Sequence, residues 1–277
     1  MKIKLIGAGD HQGVEHVGGR VGAAKGPESF QVFFNKLNGN AVLEELKSSF
    51  EHLSFSGSDL EEKHQATAKK ISQCFENQNV PILIGGGHDF AYSHIKGLKD
   101  AQKGSVACIN IDPHLDLRPY EEKFTSGSPF RRLIEENILK PNQLIEFGIQ
   151  KQANAQALFD YADEKGIKVV AYEDFDRLDV FDLFRQQLIE LKNKADYICI
   201  SLDLDAIQAA FAPGVSAPAA EGFSPKDIRK FLQIAAEEQQ VISLGIYELN
   251  PSLDLDHRTA RLAAYLAYTF IEGKIEK

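Results

Sequence analysis

Cysteine is scarce in this chain. Cys74, Cys108 and Cys199 stand far apart in apolar or helical contexts and form no C-x-x-C pair, which argues against a thiolate zinc cluster and a disulfide framework. Isolated thiols of this kind are expected to be reduced core residues of a cytoplasmic protein. Excess positive charge is also missing. Lys and Arg number 31 against 40 Asp and Glu, a net charge of −9, so no nucleic acid and no anionic membrane is expected as a partner. No apolar run is long enough to span a bilayer, LAAYLAYTFI near the C-terminus included. MKIKLIGAGDHQ carries neither the apolar stretch nor the cleavage pattern of a signal peptide. Nucleotide signatures are absent too: LIGAGDHQG holds no G-x-G-x-x-G register, and GRVGAAKGP lacks the Gly-Lys-Ser/Thr ending of a P-loop.

What is present is an alternation of short apolar runs with longer amphipathic ones. At 43% hydrophobic and 26% charged, the 277 residues suit a globular protein with a large core. No linker or repeat interrupts them, so one domain over 1–277 is expected. Strands are predicted at 2–7, 81–85, 105–111, 143–149, 168–172, 196–204 and 241–249. Helices are predicted near 28–37, 59–77, 90–100, 153–165, 180–193, 224–238 and 257–272. This order implies βαβ units and a mostly parallel sheet. KVVAY and YICIS are apolar almost throughout, as strands covered on both faces must be.

In such sheets ligand sites gather beyond the C-terminal strand ends, and the polar clusters of the sequence fall there. PILIGGGHDF delivers His88. INIDPHLDLRP places Asp112, His114 and Asp116 at every second position, on one face if the strand continues. SLDLD offers Asp203 and Asp205, and YELNP ends the last strand with Glu248. Each cluster alone has a structural explanation, as a cap or a satisfied turn. Together they crowd carboxylates and imidazoles at one rim, where they repel unless a cation is present. Oxygen and imidazole donors without thiolate suit Mn²⁺ or a similar divalent ion, zinc being an alternative. Four aspartates balance two divalent ions in charge. A bridging water between such ions would ionise readily into a hydroxide nucleophile, and Glu248 would remain to hold a cationic group.

The motifs GGGHD, IDPHLD, SLDLDAIQAAFAPGVSAP and YELNP resemble, in order, those of the ureohydrolase family, which includes arginase, agmatinase and formimidoylglutamase. GVEHVGGRVGAAKGPESF and DHRTARLAAYLA extend the resemblance over most of the chain. It implies an arginase-like three-layer αβα fold around a mainly parallel sheet, with two Mn²⁺ per chain. His88, Asp112, Asp116 and Asp203 would hold one ion and Asp112, His114, Asp203 and Asp205 the other, Asp112 and Asp203 bridging. Asp116 would orient the metal-bridging hydroxide and take its proton, and Glu248 would bind the amidinium or guanidinium of the substrate. Relatives in the family assemble as trimers or hexamers, so a homo-oligomer is implied.

Three segments narrow the resemblance. TSGSPFRRL has Ser126 where the arginase and agmatinase types carry a histidine, and is similar to the SSGTPF of formimidoylglutamases. FAPGVSAPAAEG and GGRVGA point the same way. The implied reaction is hydrolysis of N-formimidoyl-L-glutamate, an amidine, to L-glutamate and formamide, a step of histidine degradation. The alternatives are another amidinohydrolase, such as agmatinase, arginase or guanidinobutyrase, and a non-catalytic metal-binding protein. A dicarboxylate substrate needs donors. Arg20, Arg118 and Arg131 fall in segments expected near the rim, and Ser126, Ser128 and Asn154 could add hydrogen bonds. Two positions depart from the family pattern. Pro113 replaces an alanine, with adjustment of the loop expected, and Asp89 is expected either to orient His88 or to cap the next helix. The remaining histidines, His64 and His94 among them, are expected on surfaces or helices, with His11 and His16 as rim candidates.

Overall fold

The computed structural model describes residues 2–55, 59–101, 104–120, 123–176 and 178–275. Eight strands run β1 (Lys2–Ala8), β2 (Glu51–His52), β3 (Asn79–Gly85), β4 (Val106–Ile111), β5 (Leu144–Ile149), β6 (Lys168–Ala171), β7 (Tyr197–Asp203) and β8 (Val241–Tyr247). They form one sheet in the order β2-β1-β3-β8-β7-β4-β5-β6, and every pairing is parallel. The helices are α1 (Gln12–His16), α2 (Gly26–Phe34), α3 (Ala41–Ser48), α4 (Leu60–Glu76), α5 (Phe90–Ala101), α6 (Pro129–Glu135), α7 (Gln156–Lys165), α8 (Val180–Lys192), α9 (Pro225–Ala236) and α10 (Arg258–Ile275).

Alternation along each strand builds the two covered faces. On β4, Ala107, Ile109 and Ile111 join the core under α2, α3, α8, α9 and α10. Val106 and Cys108 join the core under α4, α5, α6 and α7. Neither face of β4 meets water, so the strand is apolar in both phases apart from Asn110. This is the expected three-layer αβα architecture, with a sheet that is wholly rather than mainly parallel.

Three helices and one strand go beyond the sequence reading. β2 has only two residues and pairs with β1 alone, too short to leave a pattern. α3 is capped by Asn40, whose Oδ1 accepts from the Val42 and Leu43 amides at 3.1 and 3.2 Å. α6 starts at Pro129, a position where proline's missing N–H costs nothing. The strand predicted at 105–111 is β4, and it does not continue through Asp112. β4 stops at Ile111, and residues 112–120 are an irregular loop in which Asp116 takes φ +48°.

A buried carboxylate–imidazole centre at the strand ends

The centre sits beyond the C-terminal ends of the four adjacent strands β3, β8, β7 and β4. Asp203 is the last residue of β7, and Asp205 follows in a short 3₁₀ turn. Asp203 Oδ1 accepts the Asp205 amide at 2.7 Å, so each aspartate helps to orient the other. Asp112 leaves β4 and bends the chain back: its Oδ1 accepts the His114 amide at 2.8 Å. Pro113 lies inside that turn, and its carbonyl is held by Gln150 N at 3.0 Å and Asn154 Nδ2 at 2.9 Å. With proline at this position, Asp112 and His114 both lie at the centre. The two are brought together by this turn rather than by strand pleating.

His88, in the turn between β3 and α5, occupies the middle. Its Nδ1 lies 2.9 Å from Asp112, 3.0 Å from Asp116 and 3.1 Å from Asp203, yet makes no well-formed hydrogen bond. A single N–H cannot serve three carboxylates. Nε2 is 2.8 Å from Ser201 Oγ, which can accept its proton and leave Nδ1 free as a donor of electrons. His88, Asp112, Asp116 and Asp203 each present an atom within 4.8 Å of the others, and so do His114, Asp203 and Asp205. Asp203 is common to both groups, and Asp112 Oδ1 reaches 3.3 Å from His114 Nδ1.

Electrostatics show a centre built for positive charge. Burial opposes an imidazolium at His88, but Asp112, Asp116 and Asp203 outweigh it and hold its pKa well above the ordinary value. Burial likewise opposes charge on His114, and Asp112 reverses it, lifting the ring to about 9. Asp112 is favoured as an anion: burial pushes its pKa up, but His114 and His88 bring it to about 2. Burial and the Asp112 charge raise Asp203 to about 6 and also raise Asp116. Asp205 is raised by burial and Asp203. A divalent cation replacing the imidazole proton would relieve this mutual repulsion. The donor set and the unsatisfied Nδ1 therefore fit such an ion.

Glu248 follows β8 with φ +66°. Its Oε1 accepts the His88 amide at 2.8 Å and its Oε2 the Ser216 hydroxyl at 2.8 Å. Burial and Asp203 raise it to about 8, so it favours a cationic neighbour. A cleft of about 190 Å³ opens over the centre, lined by Glu248, His88, His114, Asp116, Asp203, Asp205, Arg118, Ser126, Ser216 and Asn154 among others.

The other expected residues divide. Arg118 is exposed at the cleft and makes no hydrogen bond or ion pair through its guanidinium among the described residues. Arg20 is committed to the Val215 and Ser216 carbonyls at 2.8 Å each, and Arg131 to Glu135. Ser126 faces the cleft, whereas Ser128 is buried and tied to Thr125. Asn154 lines the cleft, but its amide is spent on backbone at Leu115, Pro113 and Gln150. Asp89 neither orients His88 nor caps α5. Its Oδ2 is 2.8 Å from Nε2 of His64, and both side chains are fully buried. His64 and His94 lie on helices as expected, but in the core rather than at a surface. His11 Nδ1 accepts the Gly22 amide, and His16 is bound to the Phe124 carbonyl.

Sequence reading missed Ser201 and Ser216. Ser201 could have been found, because it precedes Asp203 by two residues on one strand and so shares its face. Ser216 reaches Glu248 only through a long loop and leaves no periodic signal. Asn110, two residues before Asp112, was missed as well. Its amide supports Asp112 Oδ2 at 3.4 Å and Glu146 at 2.9 Å.

A model of the arginase family matches residues 2–272. The chain belongs to the arginase family. A formimidoylglutamase of Staphylococcus carnosus is 32% identical over 278 residues, which cover 96% of this chain and 85% of the relative. The crystal structure of Trypanosoma cruzi formiminoglutamase with Mn²⁺₂ is similar with a TM-score of 0.88 at 28% identity, over 98% of this chain and 93% of that one. Formimidoylglutamase from Bacillus subtilis also gives 0.88, at 25% identity over 99% and 88% of the two chains.

Proposed function

We propose that this chain hydrolyses N-formimidoyl-L-glutamate to L-glutamate and formamide, using two divalent ions, with Mn²⁺ the best match to the donors. The family makes the chain a hydrolase acting on amidine carbon–nitrogen bonds. The observation that carries the choice of substrate is the polarity of the cleft. Buried Glu248 lies at one part of its wall and Arg118, unpaired among the described residues, at another, which suits an amidine bearing carboxylates. A guanidine such as agmatine has no anionic group to offer Arg118.

His88, Asp112, Asp116 and Asp203 would hold one ion, and Asp112, His114, Asp203 and Asp205 the other. When bound, the ions supply an activated water at neutral pH. Glu248, fixed by the His88 amide and the Ser216 hydroxyl, holds the amidinium and sets the formimidoyl carbon for attack. Asp116 accepts the proton of the attacking water and returns it to the departing glutamate nitrogen. Water adds to the formimidoyl carbon, the bond from that carbon to the glutamate nitrogen breaks, and the nitrogen leaves as an amine. Arg118 takes a substrate carboxylate, with Ser126 beside it. Asn154 acts from behind, clamping the loop that carries His114.

The proposal includes one domain over 1–277, a cytoplasmic homo-oligomer of three or six chains, and a place in histidine breakdown. No helix among the described residues is long and apolar enough to cross a membrane. The deciding experiment is glutamate release from N-formimidoyl-L-glutamate by Mn²⁺-loaded protein, with and without chelator. Arginine, agmatine and guanidinobutyrate run in parallel. Chelator-sensitive glutamate release without urea is expected. Urea from a guanidine, with no glutamate released, would refute the substrate.

A further inference from the structure

Tyr247 does not itself line the cleft, yet the fold leaves a slot shaped for it. The side chain is fully buried at the end of β8. Two glycines make the room. A Cβ at Gly85 on β3 would stand 2.5 Å from the Tyr247 ring, and one at Gly245 would stand 2.1 Å from its hydroxyl.

The hydroxyl begins a chain of hydrogen bonds with one direction. Ser243 Oγ donates to the Pro81 carbonyl at 2.6 Å. Its oxygen is then left to accept from His94 Nε2–H at 2.6 Å. His94 Nδ1 is therefore the acceptor for the Tyr247 hydroxyl, 2.9 Å away. His94 is fully buried with no carboxylate within ion-pair distance among the described residues, and burial lowers its pKa to about 3, so the ring is neutral. At the other end, the face of Tyr247 lies under His88, with ring centroids 4.9 Å apart and planes 30° from parallel. Phe130 meets His88 edge-on at 5.7 Å. The outer torsion of a histidine is soft, and the bond from Nε2 to Ser201 fixes one atom of the ring without fixing its tilt.

We infer that Tyr247 is a positioning residue for the metal centre: its ring, locked in a glycine-lined slot and tied down at the hydroxyl by His94, sets the plane of the His88 imidazole and hence the aim of Nδ1. The inference rests on the proposed metal site.

The test is Mn²⁺ binding by the full chain stripped with chelator, read from the resonance signal of free Mn²⁺, beside thermal melting of each metal-free protein. Y247F and Y247L both remove the donor to His94, so the ratio of their dissociation constants isolates the ring. Y247F is expected within about threefold of wild type and Y247L about tenfold or more weaker, the range for residues that orient a ligand from behind. G245A crowds the hydroxyl without deleting a group, and is expected to weaken binding as well. Equal affinities for Y247F and Y247L would overturn the inference, even if both melt earlier, because the ring would then matter only to stability. Should Y247L not fold, wild-type affinity in G245A overturns it. Wild-type protein that binds no Mn²⁺ would instead refute the metal site itself.

Discussion

Replacing Arg118 by leucine should cost the enzyme its preference for a carboxylate-bearing substrate while sparing the chemistry. The guanidinium has no partner among the described residues, so its removal strands no buried charge and should not unfold the chain. A hydrogen bond to a charged group contributes about 1.5–3 kcal/mol, and the exposure of Arg118 places it at the lower end. With about 1.4 kcal/mol per factor of ten, kcat/KM for N-formimidoyl-L-glutamate should fall about 10- to 30-fold. The control is an N-formimidoyl derivative of an uncharged amine, for which the loss should stay under about threefold, since the lost bond to a charged group has no counterpart there. The difference should shrink with added salt. A second perturbation leaves the charge in place: a Cβ at Gly127 would meet Arg118 Cδ at 2.7 Å and Nε at 2.9 Å. Gly127→Ala should therefore act in the same direction by pushing the side chain aside. Equal losses on both substrates, or no loss on either, would refute the assignment of Arg118.

Three further outcomes follow from the centre. In metal-free protein the folded pKa values of His88, His114 (about 9), Asp203 (about 6) and Glu248 (about 8) all lie above their unfolded values. Each contribution is complete below the unfolded pKa and is lost as pH rises through the folded one. The chelated protein should therefore melt lower as pH rises from about 6 to 9, and the gain in Tm from Mn²⁺ should grow over the same window; a chelated Tm that is flat or rising would contradict this. Ser201→Ala removes the partner of His88 Nε2 and should weaken Mn²⁺ binding about tenfold, and an unchanged isotherm would rule out that role. Asp89→Asn weakens the buried bond to His64 and should lower unfolding stability by about 2 kcal/mol in urea, whereas a change within about 0.5 kcal/mol, the range of ordinary surface substitutions, would count against it.

How far the sequence discloses this molecule depends on the range over which each feature is encoded. The longer strands announce themselves because burial on both faces makes them continuously apolar. β2 does not, because two residues carry no pattern. Helices long enough to repeat an apolar stripe were legible, and the short α1, α3 and α6 were not. At the site, His88, Asp203 and Asp205 were legible because strand ends in a parallel sheet must converge. The partners of His64 and His94 were not. Asp89 lies 25 residues from His64, while Ser243 and Tyr247 lie about 150 residues from His94. Nothing local in α4 or α5 distinguishes a histidine that will be buried against them from one facing solvent.

The two residues given the most chemistry, Asp116 and Glu248, are also those whose geometry breaks the pattern that led to them. Ile246 and Tyr247 face opposite layers of the fold, so simple alternation would send Glu248 to the layer of Ile246, away from Tyr247 and His88. A left-handed backbone at Glu248 turns it into the cleft instead, and a similar conformation at Asp116 turns that side chain toward His88. For residues other than glycine such conformations cost about 1–3 kcal/mol each. At Glu248 that cost is offset by the bond from its own amide to Gly86 and the bonds from His88 and Ser216 to its carboxylate. The convergence of parallel strand ends thus explains why the carboxylates lie near one rim. Departure from strand alternation explains how these two reach the place where a substrate and a proton must be held.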